Sequence, residues 1–202
     1  MSSKYFENKR VAVVGNAQSL FNTQYGTEID DHEIVIRINT PAIFYDDLVS
    51  RHSHGTRIHV WAFWDHFRFK TSDDQFRPQR LKDFFHKETY NLLDLNMTNR
   101  NEEFKWNNEF VSYNGQISKK CILKETGNPS AGLIILSILN QLNPKKVNVY
   151  GFDFKRTPTF YNPNHHVDEN RFDSFYRHNY QFEEQYAKQK IFTQDKFELK
   201  EI

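Results

Sequence analysis

The sequence lacks two features that define secreted and membrane proteins. Its 202 residues contain one cysteine, Cys121, and no apolar run approaching the roughly 20 residues of a membrane span. A lone cysteine cannot form an intramolecular disulfide, and the first ten residues have no apolar signal-peptide core. We therefore expect a cytoplasmic protein without a membrane span.

An excess of charge of either sign is also absent. The sequence has 27 Lys and Arg against 26 Asp and Glu, a formal net charge of +1, which indicates no overall preference for nucleic acids or membranes. Aromatic residues are abundant at 16%, so the core should be rich in rings. Because the length suits one domain and no linker or repeat divides the chain, we predict a single domain over residues 1–202.

Two apolar segments that each end in an asparagine are present. Residues 11–14 are followed by Gly15 and Asn16, and residues 34–38 are followed by Asn39. Such runs are typical of buried parallel strands, and ligands bind beyond the carboxyl ends of these strands. An amide offers donors and an acceptor, so the two asparagines are candidate nucleotide contacts. Alternatively they are turn residues, because Asn tolerates left-handed backbone, and no G-x-G-x-x-G fingerprint follows Gly15.

The clearest helix is predicted to begin at Asn128, as the cap, and to end before Pro144, with a strand at 147–150 behind it. The first-turn N–H groups of this helix can hold a phosphate. Ser130 would add a hydroxyl donor and Gly132 would allow close approach. The alternative is a well-capped helix that needs no ligand.

The remaining elements follow from shorter patterns. We predict a strand at 57–63, loops and short elements over 91–110 and a loose tail in the last ten residues. Residues 173–190 have aromatic residues at helical spacing, and on such a helix His178 would face inward. A histidine there is either a core residue or a general base that works at neutral pH.

Rings and cations alternate over residues 61–87. Rings stack on sugars and bases alike, and cations hold phosphates, so this segment predicts contacts to a saccharide or to a nucleic acid. The candidate acceptor contacts are Trp61, Trp64, Arg68 and Lys70. The alternative is an ordinary helix with a solvated basic face.

Four segments in order resemble the motifs of a known enzyme family. VAVVGNAQSL and YGTEIDDHEIVIRIN within residues 11–39 are similar to the large motif of the sialyltransferases of glycosyltransferase family 29. NPSAGLIILSILNQLNPKKVNVYGF at 128–152 resembles their small motif, and HHVD at 165–168 and HNYQFE at 178–183 resemble their two short motifs. The order and spacing of all four make the resemblance specific.

The resemblance implies an α/β fold, a single Rossmann-like domain of the GT-A variant with a mainly parallel central sheet flanked by helices. It implies CMP-sialic acid, a CMP-sugar, as the donor and His178 as the catalytic base, and we expect the transfer to proceed with inversion at the anomeric carbon. It implies no metal and no cofactor, in agreement with the absence of an Asp-x-Asp triplet. The implied nucleotide and donor contacts are Asn16, Asn39, Ser130, Gly132 and His165 or His166.

Departures from the family pattern leave the substrates open. The family's disulfide would join Val11 and Pro144, and the loss of both cysteines agrees with a cytoplasmic protein. Ala131 replaces a hydroxyl residue, so the donor sugar is undetermined. The expected acceptor is a saccharide, with no N-terminal anchor and no protein partner. The alternatives are a hydroxymethylated base of viral DNA with a smaller CMP-sugar, or a non-catalytic nucleotide- or nucleic-acid-binding module.

Overall fold

The computed structural model describes residues 3–39, 42, 48–63, 91–94, 129–161, 167, 169–173 and 178–202. The strands of this part of the chain are β1 (Arg10–Val14), β2 (Ile34–Ile38), β3 (Val60–Phe63), β4 (Asn91–Asp94), β5 (Lys146–Tyr150), β6 (Phe172–Asp173), β7 (His178–Asn179) and β8 (Phe197–Leu199). Its α-helices are α1 (Gly26–Asp30), α2 (Leu48–His54), α3 (Ala131–Gln141) and α4 (Tyr180–Lys190), and 3₁₀ turns form at Ser3–Tyr5 and Gln18–Asn22.

A six-stranded parallel sheet, in the order β4-β3-β2-β1-β5-β8, organises the described residues. β6 and β7 form a separate antiparallel pair. From β1 the chain first adds strands on one side, out to β4, and then crosses to the other side to add β5 and β8. The strand order therefore reverses between β1 and β5, and ligands of parallel sheets bind outside such a switch point.

Residues of β1, β2 and β5 supply two apolar clusters, one on each face of the sheet. Val11 and Val13 of β1 belong to the larger cluster, which includes the apolar sides of α3 and α4. Ala12 and Val14 belong to the smaller one, with Leu20 beside α1. The loops at the carboxyl ends of β1, β2 and β5 are thus held between two packed layers.

The predicted parallel α/β architecture is confirmed in its coarse form, including the buried strands at β1, β2 and β5. The strand expected over 57–63 begins only at Val60. The short elements expected within 91–110 include the edge strand β4 at residues 91–94, beside β3. The prediction of a loose tail was wrong, because the last ten residues contain β8, which pairs with β5. In both cases a neighbouring strand supplies hydrogen bonds that local composition does not reveal.

The two predicted helix starts were also wrong. The N-cap of α3 is Ser130, whose side chain accepts a hydrogen bond from the N–H of Leu133, and Asn128 lies outside the described residues. α4 begins at Tyr180, after the Asn179 cap, and not at 173. His178 therefore lies in β7, and its inward position does not result from helical periodicity. Residues just before a cap have extended backbone, which competes with the helical pattern.

Candidate functional site

The two predicted asparagines lie side by side at the carboxyl ends of β1 and β2. Asn16 Nδ2 donates to the carbonyl oxygen of Ile38 at 2.8 Å and so joins the two strand ends. Asn39 has a left-handed backbone with φ of 52°, and its N–H donates to the carbonyl oxygen of Ala62 at 2.8 Å. Asn39 is therefore the turn residue that one alternative predicted.

Asn39 also has a feature that a turn does not require. Its Oδ1 atom is buried and accepts no hydrogen bond within the described part of the chain. Leaving a buried acceptor unsatisfied costs about 1–3 kcal/mol, and a hydroxyl or amino group of a ligand would recover that energy. Asn39 thus combines a turn conformation with a buried acceptor that no described residue pairs.

Trp61 supports Asn39 from the next strand. Its side chain is only 3% exposed, and the indole N–H donates to the carbonyl oxygen of Asn39 at 2.5 Å. This bond helps to hold the backbone of the turn in place. Contact of Trp61 with an acceptor stays a prediction, and Trp64, Arg68 and Lys70 lie outside the described residues.

A phenylalanine after β5 packs against two glycines. A Cβ atom on Gly132 would lie 2.6 Å from the ring of Phe152, whereas a Cβ atom on Gly15 would meet the carbonyl oxygen of Gly151 first and then lie 2.8 Å from the same ring. The ring therefore packs between the end of β1 and the first turn of α3. Because Gly132 has no side chain, the Phe152 ring can pack closely against it. This packing accounts for a glycine at position 132 without a ligand. Sequence reasoning missed this role, although Phe152 directly follows a predicted strand end.

Ser130 caps α3 and is bound to a carboxylate. Its N–H donates to Glu183 Oε1 at 2.7 Å and its hydroxyl donates to Glu183 Oε2 at 2.6 Å. The same hydroxyl oxygen accepts from the N–H of Leu133 at 3.3 Å. The hydroxyl proton that sequence analysis assigned to a phosphate is therefore directed at Glu183. These contacts give Glu183 a structural role at the cap of α3.

The Glu183 side chain is deeply buried, at 1% exposure. Burial raises its pKa to about 7, although the two hydrogen bonds from Ser130 act in the opposite direction. A carboxylate at a helix N-terminus is stabilised by the helix dipole. The N–H groups of Leu133 and Ile134 bond to Ser130, which leaves those of Ala131 and Gly132 as the first-turn donors without an assigned partner among the described residues.

His178 lies just outside α4 and close to this contact in the chain. It pairs with Asp173 across β6 and β7, is 9% exposed, and packs edge-on against Tyr180 with ring centroids 5.6 Å apart. Glu183 holds the first turn of α4 at the N-terminus of α3. His178, two residues before that helix, is thus attached to the same end of the structure as Ser130. The other predicted histidines, His165 and His166, lie outside the described residues.

A second carboxylate of α4 fastens the loop after β5. Glu184 accepts hydrogen bonds from Arg156 at 2.7 and 2.8 Å and from Arg171 at 2.8 Å, and pairs with Lys188 at 2.7 Å. Burial alone raises the pKa of Glu184, but these cations together lower it to about 2. This ion-pair cluster fixes the loop that carries Phe152. The i,i+4 pair of Glu184 and Lys188 is the part visible in sequence.

A buried arginine lies on β2, two residues before Asn39. The guanidinium of Arg37 donates to the carbonyl oxygens of His54 and Arg57, both at 2.8 Å. Burial lowers the pKa of Arg37 to about 10 despite the nearby charge of Asp30. Arg37 therefore ties β2 to the loop after α2, which explains a charged residue in an otherwise apolar strand.

The described residues contain no group of three or more His, Cys, Asp and Glu side chains arranged to hold a metal ion. Metal-free chemistry stays a prediction. Similarly, none of the helices in the described ranges is long and apolar enough to cross a membrane.

Ligands of open parallel sheets bind outside the carboxyl ends of the strands where the strand order reverses, which is the end of the sheet that carries these asparagines. The model of one family, glycosyltransferase family 29 (sialyltransferase), matches residues 3–121, which is more than half of the chain. The chain belongs to this family, and the resemblance inferred from its motifs is confirmed.

Individual relatives agree with this assignment. The CMP-N-acetylneuraminate-beta-galactosamide-alpha-2,3-sialyltransferase 1 of Gallus gallus is 29% identical over 162 residues. The match covers 73% of this chain and 45% of that protein, so the chain spans less than half the length of this relative.

Two solved structures share the fold. A mammalian sialyltransferase in complex with Gal-beta-1-3GalNAc-ortho-nitrophenol has a TM-score of 0.59 at 13% identity, covering 98% of this chain and 71% of that chain. A second mammalian sialyltransferase structure has a TM-score of 0.56 at 14% identity, with coverages of 95% and 68%. At such identities the likeness shows the fold alone.

Proposed function

We propose that this protein is a CMP-sugar-dependent glycosyltransferase that moves a sugar to a hydroxyl group of a saccharide, with inversion and without a metal ion. The observation that carries the proposal is the buried, unpaired acceptor of Asn39 at a strand end, in a chain of the sialyltransferase family. A cytidine ring and its ribose supply amino and hydroxyl donors that match this acceptor.

The donor site proposed here follows the strand ends. Asn16 and Asn39 would contact the nucleoside, since Asn16 joins the two strand ends and Asn39 presents the unpaired acceptor. The phosphate would lie at the N-terminus of α3, near Ser130 and Gly132, where N–H groups favour an anion. His165 or His166 is proposed as a further phosphate contact.

The chemistry needs a base more than an acid. When the bond from the anomeric carbon to the phosphate oxygen breaks, CMP departs as a phosphate anion and requires little protonation. The acceptor hydroxyl oxygen forms the new bond from the opposite face and releases its proton. We assign that proton to His178, because histidine accepts protons at neutral pH.

Release of CMP tests the proposal. The protein is incubated with a panel of CMP-sugars, including CMP-N-acetylneuraminate, with and without galactoside acceptors. Because general-base catalysis contributes about 10²- to 10⁴-fold, His178→Ala should lower transfer by that factor while calorimetry still detects CMP binding. His52→Ala is the matched control, since His52 is exposed on α2. Normal turnover by His178→Ala would remove it from the mechanism.

The alternative acceptors and roles have less support. The residues predicted to contact an acceptor are the same for a saccharide and a nucleic acid, so they do not distinguish the two, whereas the family favours a saccharide. A non-catalytic module would bind CMP but release none from any CMP-sugar. A duplex DNA carrying hydroxymethylated bases belongs in the acceptor panel, and transfer to it would replace the saccharide proposal.

We also propose a cytoplasmic location. The two segments that the family disulfide would join are connected here by backbone hydrogen bonds, from Lys145 to Lys9 at 2.9 Å and from Asn8 to Asn143 at 3.0 Å. Their connection therefore does not depend on an oxidising compartment. Fractionation of cells that produce the protein tests this location, and recovery outside the cytoplasm would contradict it.

A further inference from the structure

We propose that Glu183 is a positioning residue that sets the direction of the Ser130 hydroxyl proton and thereby how tightly the phosphate of the donor is held. The inference rests on the proposed donor site at the N-terminus of α3. It concerns a side chain that would touch neither donor nor acceptor. Glu183 acts through Ser130, which is half-buried and adjacent to the proposed phosphate position.

While Glu183 is ionised, its contact with Ser130 allows the Ser130 hydroxyl only one arrangement of hydrogen bonds. The single hydroxyl proton of Ser130 donates to Oε2, and one lone pair accepts from the N–H of Leu133. What remains toward a ligand is a lone pair. A phosphate oxygen is also an acceptor, so this arrangement offers the phosphate no hydrogen bond from Ser130. The Ser130 hydroxyl must release Glu183 before it can donate to the phosphate.

A neutral side chain at position 183 reverses the arrangement. The backbone N–H of Ser130 can only donate, so the oxygen of a Glu183→Gln amide must take the place of Oε1. The amide NH₂ then faces the hydroxyl oxygen, which accepts from it and from Leu133. Both lone pairs are used and the proton is free to donate outward to a phosphate.

The contact is local to Ser130. Glu183 receives both of its hydrogen bonds from that residue. The adjacent Glu184 is engaged instead by Arg156, Arg171 and Lys188. Glu184→Gln therefore removes one negative charge at the next position of the helix without touching the cap, and provides a matched control.

Removing the charge of Glu183 would also favour an anion directly, so a double-mutant cycle separates the two effects. The affinity for CMP is measured by calorimetry at pH 8.5 for the wild type, Glu183→Gln, Ser130→Gly and the double variant. Glycine is chosen because it replaces serine at an N-cap with little loss of helix stability and keeps the backbone N–H. Ser130→Thr retains a hydroxyl and serves as the rescue variant.

One recovered hydrogen bond to a charged group corresponds to roughly tenfold in affinity. We expect Glu183→Gln to bind CMP about tenfold more tightly than the wild type. In the Ser130→Gly background, Glu183→Gln should raise the affinity for CMP by less than about threefold, because only the charge contribution remains. In the Ser130→Thr background the full effect of about tenfold should return. The wild type with Glu184→Gln should differ little from the wild type.

An equal effect of Glu183→Gln in both backgrounds, or an equal effect of Glu184→Gln, would show that charge alone acts and would overturn the inference. In that case CMP still binds, so the donor site stands. Failure of the wild type and all variants to bind CMP would instead overturn the donor site, and the inference with it.

Discussion

The buried carboxyl of Glu183 should make the stability of the protein fall as the pH rises. Its pKa in the folded protein is raised from 4.5 to about 7, so the folded state binds this proton more tightly than the unfolded state does. The associated stability is fully present below pH 4.5 and is lost as the pH rises through 7. Since one pKa unit corresponds to about 1.4 kcal/mol, the full change is about 3 kcal/mol.

Urea unfolding at a series of pH values isolates this contribution. The wild type and Glu183→Gln are compared between pH 4 and pH 9, and the quantity of interest is the difference between their free energies of unfolding. Gln cannot titrate, but its amide keeps hydrogen bonds to Ser130. All other titrating groups are common to both proteins and cancel in the difference.

The difference should be constant below pH 4.5 and should then shift by about 3 kcal/mol in favour of Glu183→Gln by pH 9. Half of the shift should be complete at about pH 5.8, midway between the pKa values of the unfolded and folded states. A difference that stays constant across this range would refute the reasoning, because it would mean that Glu183 is no harder to ionise in the folded protein than in the unfolded chain.

Two further predictions concern neighbours of this contact. The pKa of Glu184 is lowered to about 2, so its contribution to stability is present above pH 4.5 and is lost as the pH falls toward 2. In urea unfolding, Glu184→Gln should therefore lower the free energy of unfolding by about 1–2 kcal/mol at pH 7 and by nearly nothing at pH 2. The pKa shift alone would suggest a larger loss, but two of the three cations around Glu184 are more than half exposed and are screened by solvent. Gly132→Ala should lower the free energy of unfolding by about 1 kcal/mol, because a clash with Phe152 exceeds the gain in helix propensity. Phe152→Leu in the same chain should restore it, and a Gly132→Ala variant more stable than the wild type would contradict the packing.

The sheet was largely predictable from the sequence because its central strands are mostly buried. β1 and β2 are short, mainly apolar runs, and a strand covered on both faces needs no partner to be visible in the sequence. β4 and β8 lie at the two edges of the sheet, and their polar residues look like loops until β3 and β5 are placed beside them. Edge strands depend on the neighbouring strand, and that neighbour is distant in sequence.

The strand-end part of the candidate site was predictable for a similar reason. Asn16 and Asn39 each follow a buried strand directly, so the parallel topology alone brings them together. The turn and ligand alternatives for Asn39 are compatible, because its backbone makes the turn while its Oδ1 atom pairs with no described residue. A choice between the two is therefore unnecessary at this residue.

The helix N-terminus could not be predicted in the same way. The sequence shows that Ser130 can cap α3 and offer a hydroxyl, but the partner of that hydroxyl is 53 positions away in α4. A serine cap whose hydroxyl is free and one whose hydroxyl is bound to a carboxylate have the same local sequence. The free hydroxyl can donate its proton to a phosphate, whereas the bound one presents only a lone pair. The affinity of this end of the site for an anion is thus decided by a long-range contact, and the ionisation of Glu183 links it to the stability of the fold.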